Sequence, residues 1–367
     1  MGKDKKGDNK KLLPFVSICT PTFNRRPFYP VIIKCFENQD YPKDRMEWII
    51  IDDGTDKIED LVKHIPQVKY FKYDKKMNLG KKRNLMHEKA KGEIIVYMDD
   101  DDYYPSDRVS HAVETLQKNP QALCAGSSEM YIYFKHIQKM YKFGPYGPKH
   151  STAATFAFRK ELLKQTRYED NAALAEEKLF LKNYTIPFVQ LDSMKSILVF
   201  SHVHNSFDKK TLLETPSPFV TLSEKTVDDF VKEPDIKTFF METIDGLLDN
   251  YEPGKPIHKP EVFEQMEEMK KKREALIKQH QEQQQMQQMQ QRQGPLLSSS
   301  QIDLVASYEK KLSDQSQMLQ TVIQENSELR TKVGYLEKKI NEIIKKSIKE
   351  KTEMREKSIV ITDVNTL

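Results

Sequence analysis

Four consecutive aspartates, Asp99–Asp102, follow directly on the apolar run Ile94–Met98. A short apolar run of this kind reads as a strand buried on both faces. Four adjacent carboxylates at its end repel one another strongly unless a cation sits among them. The pairing constrains the fold to one that holds an acid cluster at a strand tip, where a hard divalent ion is bound through oxygen. Open α/β sheets place ligands at such tips. A calcium-loop reading fails, because the run has no glycine at its sixth position and Ser110 stands at its twelfth.

The flanking chain alternates. Phe15–Thr20 reads as a strand, Pro21–Arg25 as the turn after it, and a helix follows to about Asn38. Glu47–Ile51 is a second strand ending in Asp52, Asp53 and Gly54, Val68–Tyr73 is a third, and Leu79–Lys91 is helical. Strands separated by helices of this length predict a parallel sheet with right-handed crossovers. The expected fold class is α/β: a Rossmann-like, mostly parallel sheet flanked by helices, followed by a long α-helical, coiled-coil C-terminal region.

Four segments in this order, PTFNR (21–25), WIIIDDGTD (48–56), NLGKKRN (78–84) and the acid run, resemble the signature segments of glycosyltransferase family 2, which has the GT-A fold. The resemblance covers about residues 14–209 and implies a nucleotide-sugar donor site. It sets Pro21, Thr22, Asn24 and Arg25 by the base and ribose, Asp52 or Asp53 on the base, and Arg83 near the phosphates. A carboxylate that accepts from an imide N–H favours a UDP-type donor. Asp99 and Asp101 correspond to the DxD pair, with Asp100 between them and Asp102 after it. Asp99, Asp101 and the late histidine His204 would hold the divalent cation, Mn2+ or Mg2+, which neutralises the diphosphate as the sugar leaves.

In the same family a paired acid opens a helix below the acceptor, and its second member is the base. Glu176 and Glu177 match by the apolar positions that follow, and Glu169 with Asp170 is the rival pair. The implied reaction is metal-dependent, inverting transfer to a hydroxyl of a sugar, glycan or protein acceptor. Two alternatives stand beside it. One is a coiled-coil scaffold or adaptor whose transferase-like domain is inactive; the other is a sugar nucleotidyltransferase, although no Gly-rich triphosphate loop follows the first strand.

The chain has 367 residues, 38% of them hydrophobic and 31% charged, a polar balance that predicts solvated helix or tail outside one large domain. Its three cysteines, Cys19, Cys35 and Cys124, are too few and too widely spaced for a disulfide framework or zinc site. No stretch approaches the roughly 18 apolar residues of a membrane span, so the expected location is cytoplasmic. The expected organisation is a basic tail at 1–13, a catalytic domain at 14–209, an extension packed on it at 210–259, a charged Gln-rich helix at 260–293, a linker at 294–301, a coiled coil at 302–350 and a tail at 351–367. Val305, Tyr308, Leu312, Gln315, Leu319, Val322, Asn326, Leu329, Val333, Leu336, Ile340 and Ile343 form a heptad seam. Asn326 at an a position and Leu329 and Leu336 at d predict a parallel homodimer. No dense basic region precedes the seam, which argues against nucleic-acid binding.

Overall fold

The structure is a computed structural model that describes residues 13–174, 177–214, 216–292 and 307–319, and nine further positions between 321 and 340. Glu176, the 1–12 tail, the 294–301 linker, the 351–367 tail and the seam positions Val305, Asn326 and Ile343 lie outside the described residues. The chain divides into two compact units, Met1–Glu274 and Ala275–Leu367.

Unit 1 begins with strand β1 (Val16–Thr22), helix α1 (Tyr29–Glu37), β2 (Met46–Asp52), α2 (Glu59–Val62), β3 (Val68–Lys72), α3 (Leu79–Lys89), β4 (Ile94–Tyr97) and α4 (Arg108–Lys118). Next come β5 (Cys124–Gly126), β6 (Met130–Phe134), β7 (Lys139–Phe143), β8 (Ala157–Arg159), α5 (Glu177–Phe180), β9 (Phe188–Gln190), β10 (Leu198–Ser201) and β11 (Val220–Leu222). Helices α6 (Val227–Phe230), α7 (Pro234–Thr238), α8 (Ile244–Asp249) and α9 (Pro260–Arg292) close the series, α9 crossing into unit 2.

Seven strands form one sheet in the order β3-β2-β1-β4-β8-β5-β9. Its β3-β2-β1-β4 part is parallel, and β8 runs antiparallel to both β4 and β5. β1, β2 and β4 are buried along nearly their whole length because helices and loops cover both sheet faces, as their continuous apolar runs require. Trp48 of β2 stacks on Phe36 of α1 at 4.7 Å between ring centroids and donates its indole N–H to Thr20 Oγ1 at 2.8 Å. The mostly parallel α/β sheet expected from the sequence is thus present, and all three cysteines are buried thiols.

A second, four-stranded sheet has the order β10-β6-β7-β11. The segment that follows β4 joins the two sheets: Tyr103 and Leu198 exchange backbone hydrogen bonds of 3.0 Å in each direction. Asp102 Oδ1 also accepts from the backbone N–H of Phe200, at 3.3 Å. The acid run is therefore clamped between the tip of β4 and the start of β10. One local expectation is shortened: the helix expected after Glu177 ends at Phe180. Lys182, Asn183 and Tyr184 all have positive φ, which stops that helix.

Candidate active site

The tips of β1 and β4, the start of α3 and the start of α9 surround a cleft of about 180 Å³. Of the residues singled out in the sequence, Pro21, Arg25, Arg83, Asp99, Asp100 and Asp101 line it. Thr22, Asn24, Asp52, Asp53, Glu177 and His204 do not, and for most of these the reason is visible in their hydrogen bonds.

Asn24 adopts a left-handed backbone conformation (φ 52°), and its side chain ties two segments together. Oδ1 accepts from the backbone N–H groups of Thr55 and Asp56 at 2.8 and 2.9 Å, and Nδ2 donates to the Pro253 carbonyl at 2.9 Å. Asp52 accepts from Gly54 N at 2.9 Å and from Tyr70 Oη at 2.6 Å, which fixes the turn after β2. Asp53 accepts from Met77 N at 2.6 Å and pairs with Lys82 Nζ at 2.9 Å. These side chains hold the turns that shape the cleft, and their polar atoms are used in doing so.

Arg25 is buried behind the acids. Its Nε lies 3.5 Å from Asp101 Oδ2 and 3.8 Å from Asp100 Oδ1, and Nη2 donates to the His204 carbonyl at 2.7 Å. His202, not His204, reaches the acid cluster: its Nε2 is 3.4 Å from Asp101 Oδ2. The His204 ring instead lies against Tyr251, with centroids 6.2 Å apart, and against Gly254, where an added Cβ would stand 2.7 Å from Nδ1. The two-residue spacing in SHVH puts both histidines near the cleft, but β10 ends at Ser201 and the chain turns before His204.

The four carboxylates do not ionise equally. Burial and the neighbouring Asp101 charge push Asp100 up to about 7, and burial with the same neighbour pushes Asp102 up as well. Asp101 goes the other way: burial opposes its charge, but the His202 hydrogen bond and the Arg25 guanidinium hold it below the ordinary carboxylate range. Asp100 Oδ2 is buried without a hydrogen-bond partner. Among the described residues, no three His, Cys, Asp or Glu side chains converge as a preformed metal cage. The donor set still fits a hard cation, because magnesium-like ions take one or two carboxylates and leave their other positions to water and substrate phosphates. A cation would also relieve the mutual repulsion recorded in the raised carboxyls.

Arg83, on α3, is buried between the rings of Tyr97 and Tyr168, each 5.1 Å from its guanidinium carbon, and its Nε and Nη1 have no partner. Glu177 Oε1 accepts from Ala153 N at 2.9 Å, and burial raises its carboxyl above the ordinary range despite that bond and the Arg83 charge. Asp170, the rival, is exposed and is held below the ordinary range by its bond from Asn84 Nδ2, 2.7 Å long, and by Arg167.

Sequence reasoning missed Phe23, Lys76, Lys82, Ser206 and Lys259, all on the cleft wall. Lys82 sits in the quoted NLGKKRN segment beside Arg83 and was recoverable from it. Lys259 had no local signal, since its place is set by contacts with residues far off in sequence.

Comparison with known proteins bears on the same stretch. Residues 17–172 match the family profile described as "Glycosyl transferase family 2". The chain is 27% identical over 116 residues to the poly(ribitol-phosphate) beta-N-acetylglucosaminyltransferase TarS of Staphylococcus aureus, covering 28% of this chain and 19% of that protein. It is 33% identical over 114 residues to the GalNAc(5)-diNAcBac-PP-undecaprenol beta-1,3-glucosyltransferase of Campylobacter jejuni, covering 29% and 34%. Among solved structures, S. aureus TarS 1–349 in complex with UDP-GlcNAc aligns at 16% identity and TM-score 0.41, over 67% of this chain and 70% of that one. The mannosyltransferase PcManGT of Pyrobaculum calidifontis, in complex with GDP-Man and Mn2+, aligns at 15% identity and TM-score 0.42, over 65% and 75%. The chain thus spans about a fifth to a third of these two curated relatives. Its similarity to glycosyltransferase family 2 covers residues 17–172.

Proposed function

We propose that the protein is a metal-dependent, inverting glycosyltransferase that moves a sugar from a nucleotide-sugar donor, UDP-type first among them, to an acceptor hydroxyl. One observation carries this reading. A single cleft holds a buried carboxylate oxygen, Asp100 Oδ2, and a buried guanidinium, Arg83 Nε and Nη1, and neither has a partner. Buried polar atoms left without a hydrogen-bond partner are costly. A cation and a diphosphate bound together there would supply both with partners.

In this reading Asp99 and Asp101 would hold the cation, Mn2+ or Mg2+, beside Asp100 Oδ2, with His202 and Arg25 in contact with Asp101. When bound it would neutralise charge at the leaving diphosphate. Arg83 binds the phosphates, and its clamp between two tyrosines fixes the direction of its fork. Glu177 takes the acceptor hydroxyl proton while that oxygen forms its bond to the anomeric carbon. The bond from anomeric carbon to phosphate oxygen breaks on the opposite face, and the nucleoside diphosphate leaves with the electron pair. A raised carboxyl suits a base at neutral pH better than the depressed Asp170 does. Burial, chiefly, supplies that rise at Glu177.

The test is binding and turnover on a panel of UDP- and GDP-sugars with and without Mn2+. The wild-type chain is expected to gain thermal stability with a donor only when the ion is present and to release nucleoside diphosphate, and Asp101→Ala is expected to lose both. No shift and no release across the panel would return the domain to an inactive scaffold.

A further inference from the structure

Part of the cleft wall, Lys259, Glu261 and Val262, comes from the segment Tyr251–Val262, which lies outside the family-matched residues 17–172. Residues in and beside the cleft hold this segment in place. Asn24 Nδ2 donates to the Pro253 carbonyl at 2.9 Å and Arg25 Nη1 to the Gly254 carbonyl at 3.2 Å. Lys76 Nζ donates to the His258 carbonyl at 2.6 Å and also pairs with Glu261. Farther on, Gln265 Oε1 accepts from the backbone N–H groups of Ala173 and Leu174, each at 2.8 Å. The segment is thus docked from both sides, and Lys259 is the residue it presents to the cleft.

The placement of Lys259 is unfavourable for an empty protein. Its Nζ bonds to the neutral Ser206 Oγ at 2.7 Å, and among the described residues no carboxylate pairs with it. Lys82 and Lys259 both stand 5.8 Å from the centre of the Phe23 ring, and Lys76 stands 4.9 Å from it. The ring face offsets part of this crowding of like charge. Lys82 and Lys76 are further offset by Asp53 and Glu261. Lys259 is left without a carboxylate partner on the wall of the space that Asp100, Asp101 and Arg83 also line, where burial, then the Arg25 and Lys82 charges, disfavours its charged form in the absence of an anion.

We propose that Lys259 is a contact residue for the diphosphate of the donor, a phosphate-binding cation delivered to the family 2 domain by the segment that follows it. The proposal rests on the donor reading above. A flexible ammonium with three donors suits a phosphate as a point charge, whereas the fixed fork of Arg83 suits its orientation.

The test is isothermal titration of the full chain, with Mn2+ present throughout, with UDP and GDP, and with uridine and guanosine, for the wild type, Lys259→Met and Ser206→Ala. Lys259→Met is expected to weaken diphosphate binding at least about tenfold, the scale of one hydrogen bond to a charged group, and to leave nucleoside binding unchanged. Ser206→Ala, which removes only the group that positions Nζ, is expected to weaken diphosphate binding in the same direction and decides the matter if Lys259→Met does not fold. Diphosphate binding at wild-type strength in the folded variants would overturn the assignment, as would an equal loss of nucleoside binding. A wild type that binds none of the diphosphates would overturn the donor reading itself, an outcome distinct from either.

Discussion

His87 lies one turn after Arg83 on α3 and shares its surroundings. Its Nε2 is bonded to Tyr97 Oη, 2.5 Å away, and its ring sits among Phe158, Tyr168 and Phe180. Burial, and then the Arg83 charge, hold the imidazole down to about 3. The unfolded chain has an ordinary histidine near 6.5. Between about pH 6.5 and pH 3 the unfolded state therefore binds a proton that the folded state refuses. The stability that comes from keeping this ring neutral is complete above that window and is lost as pH falls through it, by up to about 1.4 kcal/mol per pH unit. Denaturant unfolding of the wild type and of His87→Gln between pH 7 and pH 4 should show a shallower acid limb in the variant. Parallel limbs would mean that the ring takes up its proton without cost. The site shows how far residue types can be read from sequence. Asn24, Asp52 and Asp53 stood out by motif, yet their polar atoms are spent on the Thr55, Asp56, Gly54, Tyr70, Met77 and Lys82 contacts that fix the turns. A motif records that a residue type is needed at a place; whether it touches a ligand or a neighbouring turn depends on distances that a sequence does not carry.

At the scale of elements, the first four strands were legible because β1, β2 and β4 are covered on both faces and so read as unbroken apolar runs. Beyond Gly126 legibility falls, since β8, β9 and β11 are three residues long and too short to show a period. Packing between elements was not legible at all, and Gly80 is the sharpest case. It stands in the first turn of α3, where the loop Glu169–Ala172 crosses so closely that an added Cβ would lie 2.0 Å from the Glu169 carbonyl oxygen and 3.1 Å from Ala172 Cβ. In an open helix, Gly→Ala gains about 1 kcal/mol of helix propensity. Here backbone must move instead, and the loop it displaces carries the Tyr168 carbonyl and Asp170 that Asn84 holds at 2.8 and 2.7 Å. Gly80→Ala is expected to lower the unfolding free energy by about 1–3 kcal/mol, measured by urea denaturation. A gain in stability would show that the loop yields freely and that α3 is not pinned there.

The whole molecule adds a property that neither unit shows alone. Leu312, Leu329, Leu336 and Ile340 lie on helical residues of unit 2 and are more than half exposed. They fall at the three- and four-residue steps of the seam read from the sequence, and a helix with an apolar stripe at heptad spacing buries that stripe against a second such helix. Among the described residues no helix is long and apolar enough to cross a membrane. The expected partner is a second copy of the chain in parallel register, and two copies would join two family 2 domains in one particle. Light scattering coupled to size exclusion should give a dimer for the full chain and a monomer for residues 1–292, with donor binding per chain equal in the two. Leu329→Glu with Leu336→Glu should convert the full chain to the monomer without altering the unfolding transition of residues 13–274. The coiled-coil reading would fall if the full chain ran as a monomer at tens of micromolar, or if the double variant stayed dimeric, because then the exposed leucines would have no part in association.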